Sequence, residues 1–173
     1  MKKIYLTLFM IAAALFIHAQ TVVPGGIVHG TWTTSGSPFL IEGDINIPTQ
    51  DSLIIEAGVT VNFQGSYSLD VQGKILALGS ILTPILFTAA DTVEGYKGVR
   101  LNVVSPINDS SIFEYCRFEH GYAYEEWPYN SGAGIFMIGT NKVRVENCTF
   151  YNNRGVFTGG VHRPGGGAIA LWN

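Results

Sequence analysis

The chain has 173 residues, of which 13% are charged, 47% are hydrophobic and 21 are glycine. That length can bury one sizeable core, and sparse charge with abundant glycine favours short strands and tight turns over helices. A formal net charge of −3 supplies no basic stripe of the kind phosphate binding needs, which argues against nucleic acid as a partner.

In chain order, residues 1–19 read as a secretory signal peptide. Lys2 and Lys3 form the basic start, Ile4 to Ile17 the apolar run, and Ile17-His18-Ala19 a cleavage site ending in a small residue. The run is short for a membrane span, so no transmembrane segment is expected once the leader is removed. Loss of the two lysines leaves 8 basic against 13 acidic residues, a net charge of about −5. The expected location is extracellular or on the outer cell surface. The acidic surface permits calcium without requiring it, and no other cofactor is indicated.

Residues 20–44 are expected to cap the N-terminal end of the fold, with Trp32 covering the first layer. From Phe39 onward, apolar residues alternate with polar or small ones: Ile45, Ile47, Leu53, Ile55, Val59, Val61 and Phe63, then Leu69, Val71, Ile75 and Leu76, then Ile85, Leu86 and Phe87, then Val99 and Leu101. This period of two predicts strands, and the glycines and prolines between the runs predict turns. No stretch carries a helical stripe.

A repeat in the last third selects among the all-β architectures. Tyr115-Cys116-Arg117-Phe118-Glu119-His120-Gly121, then Gly132-Ala133-Gly134-Ile135, returns as Asn147-Cys148-Thr149-Phe150-Tyr151-Asn152-Asn153, then Gly166-Gly167-Ala168-Ile169. Loop length varies while the apolar positions persist, as in a stacked solenoid. The alignment predicts inward ladders that place Ser111 beside Val143, Phe113 beside Val145, Cys116 beside Cys148 and Phe118 beside Phe150. Arg117, Arg144, Glu146 and Thr149 would face solvent. Asn147, and Tyr115 in its place one repeat earlier, would turn a corner in the left-handed conformation that Asn tolerates. Two buried free thiols are favoured over a bridge, and two thiols without nearby ligands do not complete a metal site.

The element Phe150-Tyr151-Asn152-Asn153 with Gly166-Gly167-Ala168-Ile169 resembles the repeat of polymorphic outer membrane proteins. More broadly it resembles right-handed parallel β-helix proteins of the pectate-lyase type. The earlier copy departs from the motif, with Gly121 in place of the Asn and Ala133 interrupting the glycine pair. Gly30-Thr31-Trp32, the run Ile41 to Pro48, Leu53 to Phe63 and Phe87-Thr88-Ala89-Ala90 resemble the start of secreted bacterial β-helix proteins. The resemblance implies an all-β, right-handed parallel β-helix whose rungs occupy residues 45–173. Because the sequence stops straight after a strand, it is expected to be an N-terminal piece of a longer protein, incomplete at its C-terminal end.

Candidate ligand-binding residues fall on two loops that should leave the same edge of the stack. The first holds Tyr122, Tyr124, Glu125, Glu126, Trp127 and Tyr129; the second holds His162 and Arg163. Aromatic faces stack on sugars and carboxylates hold hydroxyls or calcium, so polysaccharide or cell-surface glycan is the ligand class indicated. The competing reading has the same aromatics sealing the flank of the core. Glu125 and Glu126 are neighbours and do not face each other as an acid–base pair, and no catalytic residue is assigned. Strands Ile135–Ile138 and Ile169–Leu171 are apolar, which counts against a lyase-type site on them. The expected function is a non-catalytic, adhesin-like or spacer segment. A polysaccharide lyase or glycoside hydrolase, or a carbohydrate-binding module, is the alternative.

Overall fold

The period-two runs bury one face of each strand completely: Leu53, Ile55, Val59, Val61, Phe63, Leu69, Val71 and Ile75 have no exposed surface. Their polar neighbours stay outside, so each strand has one wet and one dry side. A computed structural model of the protein describes residues 20–102, 110–126, 128–140, 142–156 and 166–172. The candidate residues Trp127, His162 and Arg163, and the leader, lie outside the described residues.

The strands come in successive sets. The first is β1 (Thr21–Val23), β2 (Gly26–Ile27) and β3 (Gly30–Trp32); the second β4 (Phe39–Ile41), β5 (Ile45–Ile47) and β6 (Ser52–Glu56). The third is β7 (Thr60–Phe63), β8 (Ser68–Val71) and β9 (Lys74–Leu78); the fourth β10 (Ile85–Ala89), β11 (Gly98–Asn102) and β12 (Ser111–Glu114). The fifth is β13 (Cys116–Glu119), β14 (Tyr122–Ala123), β15 (Ile135–Ile138) and β16 (Val143–Glu146). β17 (Thr149–Tyr151), β18 (Arg154–Gly155) and β19 (Ile169–Trp172) follow. Each set sends one strand to each of three sheets, ordered β1-β4-β7-β10-β13-β17, β2-β5-β8-β11-β15-β19 and β3-β6-β9-β12-β16. β14 and β18 form a small fourth sheet. Every strand pair described is parallel, and the helical content among the described residues is one 3-10 turn, Thr34–Gly36. Parallel strands that return to the same three sheets at each turn form a β-solenoid, consistent with a parallel β-helix.

Residues 20–44 contribute β1 to β4, and β1 pairs with β4 as later rungs pair. Strands therefore begin at Thr21, well before the alternating pattern becomes legible at Phe39. β1 to β3 are only two or three residues long, with Gly25 before β2 and Gly26 and Gly30 opening β2 and β3, all at positive φ, so no run is long enough to show a period. Trp32 is buried there and stacks on Phe39 at 4.3 Å.

Register decides which side chains meet. Phe113 lies beside Val145, Ser111 beside Val143 and Phe118 beside Phe150, with Arg117 and Thr149 paired outside. Phe87, Phe118 and Phe150 form a stacked column, with centroids 4.8 and 5.0 Å apart and planes within 8°. Such stacking follows from a strand spacing of about 4.8 Å, which lies within the roughly 4.5–7 Å between centroids of offset-stacked rings. Cys116 is buried, Cys148 half-buried, and both are free thiols.

The corners use left-handed backbone. Tyr115 (φ 48°) and Asn147 (φ 52°) turn the chain from the third sheet into the first; His120 (φ 61°) and Asn152 (φ 51°) turn it out again. The Asn153 side chain then ties the rungs: its Nδ2 donates to the Phe118 carbonyl at 2.8 Å and its Oδ1 accepts from the Gly121 N–H at 2.9 Å. This explains the glycine that interrupts the earlier repeat. A Cβ on Gly121 would collide with the Ala133 carbonyl and stand 2.8 Å from Asn153 Oδ1.

Candidate functional site

On the second sheet the triplets Ile45-Asn46-Ile47, Leu69-Asp70-Val71 and Val99-Arg100-Leu101 bury their outer members and turn the middle one outward. Register then lines up Asn46, Asp70, Arg100, Phe136 and Ala170 along one outer face. Asp44 and Lys97 flank this row. Asp44 Oδ1 accepts from the Ser68 N–H at 2.8 Å, and the Ser68 hydroxyl lies 3.1 Å from Asp44 Oδ1 and 2.8 Å from Asp70 Oδ2. One hydroxyl proton thus serves two carboxylates. Burial lifts the Asp70 pKa above the usual carboxylate value, against the lowering effects of Ser68 and Arg100.

The loop after β14 closes over this face. Glu125 pairs with Lys97 Nζ at 2.9 Å and with Arg100 Nη2 at 2.7 Å. Burial opposes the Glu125 charge, but the Lys97 hydrogen bond and the Arg100 charge outweigh it and hold its pKa below the usual value. The same hydrogen bond raises that of Lys97. Tyr129 completes the cover, 5.2 Å above the Arg100 guanidinium and 5.4 Å from the Phe136 ring. Arg100 is left 7% exposed, so its charge is neutralised inside the cover rather than by solvent.

Tyr122 and Tyr124 go elsewhere. β14 pairs with β18, placing Tyr122 beside Arg154, whose guanidinium stacks 4.1 Å over the Tyr122 ring and donates to the Val93 carbonyl. The two tyrosine rings lie 5.2 Å apart, tilted by 47°. With Ser66, Glu94 and Val156 they line a surface depression of about 440 Å³. Ser66 Oγ is buried there with no hydrogen-bond partner among the described residues.

Of the candidate residues described, Tyr122 and Tyr124 lie apart from Glu125 and Tyr129. The segment crosses the corner between the first and second sheets. Tyr122 and Tyr124 stay on one side of that corner, and Glu125 and Tyr129 reach the outer face of the second sheet. Glu126 is exposed, and its carbonyl accepts from the Tyr129 N–H at 2.9 Å. Sequence reasoning missed Asp44, Ser68, Asp70, Lys97 and Arg100. The signal was present in the three apolar–polar–apolar triplets, but aligning them requires the length of each rung. The apolar character noted for β15 and β19 does not extend down the sheet, since β8 and β11 carry Asp70 and Arg100 on the same face.

Among the described residues no group of three or more His, Cys, Asp or Glu is placed to hold a metal ion, and no helix is long and apolar enough to cross a membrane. Fold and site together define a parallel β-solenoid whose outer charged face is closed by its own loop. No family model and no solved structure matches the chain. A stretch of 73 residues, 42% of the chain, is 36% identical to Protein bark beetle of Drosophila melanogaster. The chain spans about 2% of that protein's length.

Proposed function

We infer that the chain is a non-catalytic scaffold segment, adhesin-like or spacer-like, of a larger exported protein built as a right-handed, pectate-lyase-like β-helix. The observation that carries this reading is the closed outer face: Glu125 engages both Lys97 and Arg100, while Tyr129 covers them. A carboxylate held ionised between two cations is a poor proton donor, so this arrangement favours a locked surface over acid–base chemistry. Export follows from the Lys2-Lys3 start, the apolar run and Ala19, and the mature chain begins at Gln20.

Two experiments test the reading. Expression with the natural leader should yield an exported product lacking residues 1–19; an intact N-terminus on the exported product contradicts export by this leader. Incubation with a panel of neutral and acidic polysaccharides should release no new reducing or unsaturated ends. Turnover that Glu125→Gln or Arg100→Ala abolishes would replace the scaffold with the polysaccharide-degrading alternative.

A second reading, glycan binding, is favoured by the depression that Tyr122, Tyr124, Glu94, Val156 and the buried Ser66 hydroxyl line. Retention on a glycan array that Tyr124→Ala removes would support it; retention unchanged by that substitution would not.

A further inference from the structure

The strands of the third sheet carry aliphatic side chains on both faces. Leu53, Ile55 and Ile75 point inward and are fully buried. On the outer face, register stacks Thr31, Ile54, Leu76, Ile112 and Arg144 in a central row. Beside it, toward the strand ends, run Glu56, Leu78, Glu114 and Glu146. Ile54, Leu76 and Ile112 are half-buried and Leu78 is 39% exposed, so three successive rungs share one outward apolar patch. Lys74, which pairs with Ser52, and Lys142, one residue before β16, fall at the opposite end of the strands. The face is therefore apolar in its middle, acidic along one side and basic along the other. We propose that it is a docking surface for a second copy of this chain, packed face to face about a twofold axis parallel to the stack.

Charge order selects both the occupant and the axis. The partner must bring base to the acidic side and acid to the basic side, and a second copy turned about the stack axis does so. Ile54, Leu76 and Ile112 then lie near the axis and meet their own counterparts across sheets about 10 Å apart. Lys74 of one copy lies opposite Leu78 of the other, its stem over the leucine and its ammonium between Glu56 and Glu114. Lys142 lies opposite Glu146 in the same way. A twofold axis along the strands would instead set Glu56 against Glu114, and like charges facing each other disfavour that packing. Thr31 and Arg144, the latter paired with its own Glu146 at 3.1 Å, give the apolar centre polar ends, as interfaces have. Five strands about 4.8 Å apart, with five residues of about 3.3 Å each, give a footprint of about 400 Å² per copy. That size belongs with reversible association at micromolar or higher concentration.

Sedimentation velocity of the purified chain from about 1 µM to 1 mM should show monomer giving way to dimer and to nothing larger. Zero-length coupling of amines to carboxylates should then trap a dimer joined from Lys74 to Glu56 or Glu114. Within one chain these residues sit at opposite ends of their strands, about 13 Å apart, so the coupling reports the facing copy. Leu76→Glu, placed outside the core, should weaken the dimer at least tenfold. Glu56→Lys with Glu114→Lys should also weaken it, and adding Lys74→Glu should restore it, which separates lost complementarity from misfolding. Four results overturn the proposal. They are a monomer throughout, which leaves the face to another partner; couplings confined to other residues; association that continues past the dimer; or a double variant that Lys74→Glu does not rescue. The coupling on the unsubstituted chain decides the face whether or not any variant folds.

Discussion

Phe118→Ala removes the centre of the aromatic column. Phe118 has no exposed surface, lies between Phe87 at 4.8 Å and Phe150 at 5.0 Å, and meets Phe113 edge-on at 5.8 Å. Truncating a fully buried Phe costs about 3–5 kcal/mol, because the transfer energy is lost and a cavity remains. Stacked neighbours on both sides leave little room for collapse, since each is held in register by its own strand. With a urea dependence of about 2 kcal/mol per molar, the unfolding midpoint should fall by roughly 1.5–2.5 M. Leu82, 88% exposed on a turn, is the matched control, and its truncation should change stability by less than about 0.5 kcal/mol. Urea unfolding followed by tryptophan fluorescence reads both. A Phe118→Ala midpoint within the range of the Leu82→Ala control would refute the stacked column.

Glu125→Gln should cost on the order of 1 kcal/mol at pH 7, since it unpairs Lys97 and Arg100. The folded pKa of Glu125 is depressed, so its contribution is present above the unfolded carboxylate value of about 4.3 and is lost as pH falls through the lower folded value. Melting curves from pH 7 to pH 3 should therefore converge for the two proteins, and a gap that persists in acid would contradict the pairing. Asn153→Ala removes bonds to Phe118 and Gly121; hydrogen exchange at the Gly121 amide should speed up by about fivefold or more, for a loss of about 1–3 kcal/mol. Tyr115→Asn places a residue tolerant of left-handed backbone at φ 48° and should raise stability by about 0.5 kcal/mol; a lower melting temperature would mean that Tyr115 contributes packing the corner needs.

The ladders were legible because identical spacing recurs in adjacent rungs. Cys116 and Cys148 are 32 positions apart, as are Phe118 and Phe150, and the corner pair Tyr115 and Asn147 keeps the same offset. Local chemistry was legible for the same reason: Asn at a corner and glycine opening a strand are backbone requirements a sequence displays. The outer charged face was not legible. Asp70, Arg100 and Glu125 come from rungs of different length, and nothing near any of them in the chain signals the others. Only the register, Asp70 beside Arg100, brings them together, and only the crossing of the corner after β14 carries Glu125 onto Arg100 while leaving Tyr122 behind. The first rung escaped because its strands are too short to show alternation.

Spin labels at the two ends of one outward row test the stacking most directly. Val22 pairs with Leu40, Leu40 with Asn62, and Asn62 with Thr88; Tyr151 pairs with Glu119, the position after Phe118 that continues the register of Phe87. Val22 and Tyr151 are both about half exposed, so Val22→Cys and Tyr151→Cys, made together with Cys116→Ala and Cys148→Ala, carry nitroxides without disturbing the core. Five strand spacings predict a single narrow distance centred near a backbone separation of about 24 Å. A broad distribution, or a centre displaced by more than about two strand spacings, would contradict rungs stacked in register.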